Sequence, residues 1–90
     1  MFENEEEIEY ESVGVGVEDT DNGIKISVFG NVDTLQEYDI KLNVLEISKR
    51  DLYFASKNVA QYLTNYYYNN KATLPLLYEV EDILKKELNK

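Results

Sequence analysis

The stretch VGVGVEDTDNGIKISVFG, residues 13–30, decides how this chain folds. In VGVGV (13–17) and IKISV (24–28), apolar residues alternate with glycine or polar residues, and β-branched side chains dominate. That is the pattern of half-buried strands. Between them lies EDTDNG, whose Asn22-Gly23 pair is a strong two-residue hairpin signal, because a type I′ turn needs positive φ at both central positions. With that turn, residue numbers paired across the hairpin sum to 45, so Val17 faces Val28, Val15 faces Gly30 and Gly16 faces Phe29. Val15, Val17, Ile24, Ile26 and Val28 then share one face, and the Phe29 ring covers the bare backbone of Gly16.

Downstream, YDIKLNVLEI (38–47) alternates Tyr38, Ile40, Leu42 and Val44 against Asp39, Lys41 and Asn43. It reads as a third strand reached through the turn-like GNVDTLQ (30–36), and short connections between sequential strands predict an antiparallel meander. After Ser48 the period changes. Ser48 or Asp51 is the candidate cap of a helix over about residues 50–69. Steps of 100° place Leu52, Ala55, Val59, Tyr62, Leu63 and Tyr66 on one stripe, with Tyr67 flanking it and Tyr68 on the other side. A second amphipathic helix is expected from Pro75, a good first-turn residue, to about Leu88. Leu76, Leu77, Val80, Ile83, Leu84 and Leu88 form its apolar face. The expected fold is α+β: a three-stranded antiparallel meander followed by two helices packed on one face, βββαα.

Ninety residues make a single small domain, and residues 1–11 are expected to be either an acidic edge strand or a partly disordered acidic arm. In EEIEYES the apolar parity runs opposite to that of Val13, Val15 and Val17. A continuous strand there needs a bulge near residues 12–14. Net charge is -9, and its distribution is uneven. Residues 1–24 hold nine acids and no base, whereas residues 25–90 hold nine of each. A chain so charged is a poor ligand for nucleic acid or an anionic membrane, both of which need a positive surface. It suits a basic partner protein.

Cysteine and histidine are both absent, which removes disulfides, thiolate metal sites, the commonest zinc ligand and the commonest general base. The apolar runs are too short for a membrane span, and the acidic start is unlike a secretory leader, so a cytoplasmic location is expected. DTDNG departs from the EF-hand loop, since counting from Asp19 puts Ile24 and Gly30 where that loop needs glycine and glutamate. Gly14-Val15-Gly16 lacks the third glycine of a phosphate-binding loop. No serine stands in a nucleophile elbow. Neither a cofactor nor a metal is expected, and the chain is read as non-enzymatic.

Two features remain as candidate binding sites. A strand over residues 5–11 would space Glu5, Glu7, Glu9 and Glu11 at about 6.7 Å along one face, imitating a run of phosphates, with Glu18, Asp19 and Asp21 extending the patch at the hairpin tip. On the first helix, Phe54 and Tyr68 lie on a line opposite the core stripe, with Tyr53 beside it. Aromatic residues there suit a protein-binding face, unless the second helix covers them. The expected function is an acidic protein-binding module of the inhibitor, immunity or antitoxin type, whose carboxylates occupy the basic site of a DNA- or RNA-handling enzyme. The alternative is a small assembly protein that homo-oligomerises, as a homodimer at its simplest, through the aromatic helix face. Enrichment in Asn, Lys, Ile, Tyr and Glu points to an AT-rich coding source such as a low-GC bacterium or its phage.

Overall fold

The computed structural model of the chain describes residues 12–30 and 33–89. Strands β1 (Val13–Thr20), β2 (Gly23–Gly30) and β3 (Asp33–Lys41) form an antiparallel sheet in the order β1-β2-β3, and helices α1 (Lys49–Asn69) and α2 (Leu77–Leu88) follow. This is the βββαα arrangement read from the sequence. The helices lie side by side over one face of the sheet, α1 over β1 and α2 over β3. The expected strand or arm of residues 1–11, and with it Glu5, Glu7, Glu9 and Glu11, lies outside the described residues.

The β1–β2 hairpin forms in a different register from that predicted. Val15 faces Val28, Val17 faces Ile26 and Gly16 faces Ser27, so paired numbers sum to 43 rather than 45. The loop is therefore Asp21-Asn22, and neither residue takes the positive φ of a type I′ turn. Gly23 has another use. A Cβ there would lie 1.9 Å from the Ile40 carbonyl oxygen and 2.7 Å from the Leu42 nitrogen, so glycine allows β3 to approach the start of β2. The Asn22 carbonyl accepts a hydrogen bond from the Leu42 N–H at 2.9 Å, which ties the turn to the end of β3. A slip of two residues preserves parity, and every side chain stays on its predicted face. Phe29 still reaches Gly16, now diagonally, with a ring carbon 3.4 Å from where a Cβ would be.

β3 begins five residues earlier than expected, at Asp33, and ends at Lys41. A register shift between Val28 and Phe29 leaves Leu35 as the extra residue on β3. That bulge accommodates the turn-like composition the sequence shows there. Val44–Glu46 is a single 3-10 turn, not the end of the strand.

The core joins Ile24, Ile26 and Val28 of the central strand to Tyr38 and Ile40 of β3, to Ala55, Val59 and Leu63 of α1, and to Val80 and Leu84 of α2. Each large aliphatic side chain taken fully from water contributes about 1.5–3 kcal/mol before entropy is charged against it. α1 starts at Ser48, whose Oγ accepts from the Asp51 N–H at 3.0 Å. Its stripe is rotated slightly from the prediction: Tyr67 is buried and Tyr66 only partly so.

Pro75 is not in α2 but precedes it. It is buried, and its carbonyl accepts the Tyr38 hydroxyl at 2.7 Å, which fastens the α1–α2 connection to β3. Leu76 is the cap residue, its N–H donating to the Glu79 carboxylate at 2.8 Å. Its backbone is extended, so the helical angle assigned to it from sequence does not apply, and its side chain is exposed. Leu77, in the first turn, is exposed too, and the buried face of α2 begins at Val80.

Candidate functional site

The tip of the β1–β2 hairpin presents Glu18, Asp19 and Asp21, all exposed. Alternation along β1 separates the first two. Glu18 points to the face of the sheet opposite the helices, where Lys25, directly opposite on β2, approaches its carboxylate to 3.7 Å. Such an exposed pair contributes between zero and about 1 kcal/mol, yet it offsets one of the three charges. Asp19 points to the side occupied by the helices, opposite Ile24.

On that side Asp19 meets α1. Val17 and Asp19 of β1 line an opening of about 320 Å3 together with Lys49, Leu52, Tyr53 and Ser56 of α1. Val17 is on the core face of the strand, but α1 does not cover it fully, and it remains 40% exposed. Tyr53 is 61% exposed and stands edge-on to Phe54, with ring centroids 5.4 Å apart. The Arg50 guanidinium carbon lies 5.7 Å from the Phe54 centroid. Asp19 and Tyr53, far apart in the sequence, are thus neighbours.

Phe54 and Tyr68 are each 48% exposed, so α2 covers neither. They are not one site, however. Fourteen residues of helix put them about 21 Å apart, and Tyr68 stands edge-on to Tyr67 at 5.4 Å, near the α1–α2 connection. At that end Leu76, Leu77 and Tyr78 are exposed. Sequence reasoning placed the two leucines on the buried face and did not single out Tyr78. The structure promotes Tyr53 from a neighbour of the aromatic line to the residue that joins it to the hairpin.

Ser56, not among the binding residues expected from the sequence, also lines this opening. It is only 8% exposed, and its Oγ is buried without a hydrogen-bond partner. Its position one residue after Ala55 and three before Val59, on the edge of the apolar stripe, was a usable signal. The Ser48 Oγ, by contrast, is engaged at the helix cap.

A tyrosine cluster lies where β3 meets the start of α2. Burial pushes the Tyr38 phenol up to about 12, with further contributions from the Glu79 carboxylate and from Tyr62 and Tyr66. Tyr62 is raised by the same causes, burial first, then Glu79 and Tyr66. The Tyr62 and Tyr66 rings, one helical turn apart, meet at a tilt of 54° with centroids 5.8 Å apart. Through the Tyr38 bond to the Pro75 carbonyl, this cluster holds the α1–α2 connection to β3.

Among the described residues no group of three or more carboxylates converges as a metal site would require, and no helix is long and apolar enough to cross a membrane. Compared with known protein families, curated protein sequences and solved structures, the chain matches none in any of the three.

Proposed function

We propose that the chain is a non-enzymatic, acidic protein-binding module of the inhibitor, immunity or antitoxin type. Its carboxylates occupy the basic, nucleic-acid-binding site of a partner protein in the cytoplasm. The observation that carries this reading is the placing of one hairpin acid, Asp19, beside the exposed Tyr53, whose ring stands edge-on to Phe54. Carboxylates supply long-range attraction and a fast encounter, and aromatic rings supply contact area at low entropic cost. Glu5, Glu7, Glu9 and Glu11 extend the same acidic region along the chain.

Capture from an extract of the source cells at low and high salt tests the reading. Replacing Glu7, Glu9 and Glu11 by Lys, in combination with Asp19→Lys, should abolish capture of the salt-sensitive partner. Unchanged capture by that variant would sink the proposal.

The exposed apolar end of the helical pair favours a second reading. Tyr68, Leu76, Leu77 and Tyr78 are all at the surface there, and residues 25–90 carry no net charge to oppose self-association. On this reading the chain is an assembly protein. Sedimentation would then show an oligomer that Tyr68→Ala with Leu77→Ala disrupts and the charge reversals leave intact.

A further inference from the structure

The Ser56 hydroxyl is the starting point. A buried hydroxyl without a partner is unfavourable relative to one that is bonded, and alanine would fill the same place on α1 without that penalty. Ser56 is also the most buried of the residues lining the opening beside β1, where Val17, Leu52 and Tyr53 supply apolar walls and Asp19 a carboxylate. β1 is moreover an edge strand among the described residues, with β2 on one side only. An edge strand offers a row of N–H and C=O groups to any extended chain laid along it.

We propose that this opening receives one arginine of an extended segment of the partner protein, added to the sheet along the outer edge of β1. The proposal rests on the reading of the chain as a binder of a basic protein and specifies how that protein is held. The aliphatic part of the side chain lies between Val17 and Leu52, and the guanidinium reaches the Asp19 carboxylate beside the Tyr53 ring. A rotation of the Ser56 side chain turns its Oγ into the opening, where it accepts one guanidinium N–H. Arginine fits better than lysine because its planar fork carries several donors and stacks on an aromatic face. Lys49 lines the same opening and repels a second cation, so the site takes a single basic residue within a β-forming segment and rejects a polybasic run.

The test is an NMR titration of the full chain with an end-capped nine-residue peptide, alternating valine and threonine around one central arginine. A matched peptide carries citrulline, which keeps the shape and removes the charge. The arginine peptide should shift amide signals along Val13–Thr20 and at Tyr53 and Ser56, and should bind at least about fivefold more tightly than the citrulline peptide. Ser56→Ala should weaken the arginine peptide about fivefold while raising the melting temperature, so lost binding cannot be ascribed to lost folding. Asp19→Asn should remove the preference for arginine over citrulline.

Equal binding of the two peptides, shifts that leave β1 untouched, or full affinity in Ser56→Ala would each overturn the proposal. So would concentration-dependent pairing of β1 with a second copy in the absence of peptide. Salt-sensitive capture of a cellular partner by a chain that ignores both peptides overturns the strand docking alone. Peptide binding by a chain whose capture is indifferent to salt overturns the charge-driven reading instead.

Discussion

Gly23 shows how one residue type can be read for the wrong reason. Its place after Asn22 suggests a turn needing positive φ, whereas its use is to let the β3 backbone pass where a Cβ would lie 1.9 Å from a carbonyl oxygen. Gly23→Ala must therefore push two strands apart, and urea unfolding should show a loss of about 2 kcal/mol or more. Tyr38 is the residue whose ionisation couples to folding. Its folded pKa of about 12 lies above its ordinary value of 10.0. The unfolded chain therefore releases this proton first as pH rises. The stabilisation is fully present below about pH 10 and is lost progressively between about 10 and 12, by an order of 2–3 kcal/mol. Denaturant melts at pH 9 and 11.5 should differ in this sense. Tyr38→Phe should be less stable at pH 9, having lost its bond to the Pro75 carbonyl, and less sensitive to the rise in pH.

Among the elements, the end of α1 is held in a demanding conformation. The Ala72 N–H bonds to the Tyr67 carbonyl at 2.8 Å, closing the helix in a Schellman turn, and Lys71 and Ala72 both have positive φ, at 56° and 68°. Glycine adopts that geometry without a Cβ clash, so Lys71→Gly should raise stability by about 0.5–1 kcal/mol in a thermal melt. No pattern around Asn70-Lys71-Ala72 signals this, because the residues there are not those that favour the conformation they adopt. Elements were legible where periodicity was strong. The alternation around Ile24 and Ile26 and the stripe through Ala55, Val59 and Leu63 identified the buried faces. The hairpin register was not legible, because it depends on how β3 meets Gly23 and Asn22, a contact between segments distant in sequence. The bulge at Leu35 escaped notice for the same reason. Leu76 was misplaced because a helical period was extended into a cap residue with extended backbone, and Leu77 because the buried face of α2 begins only at Val80.

At the scale of the whole molecule, the fold places exposed aromatic residues at both ends of α1 and a hairpin carboxylate at only one of them. Asp19 of the hairpin stands beside Tyr53 at the start of α1, and a second apolar surface, around Leu76 and Tyr78, lies near the α1–α2 connection. The two candidate features of the sequence were visible as residue types, but their meeting was not, since only the packing of α1 over β1 brings Asp19 to Tyr53. If the acidic end is the binding end, substitutions there should change binding and leave stability within about 0.5 kcal/mol, as is usual for exposed positions. Leu63→Ala, in the core, should do the reverse and cost about 2–5 kcal/mol. The most direct measurement is the association rate of the captured partner with the chain as a function of ionic strength. An interaction steered by the acidic end should slow by about tenfold or more between 50 and 500 mM salt, and the Asp19→Lys variant should start slower and respond less. An association rate that salt and Asp19→Lys both leave unchanged would contradict the account.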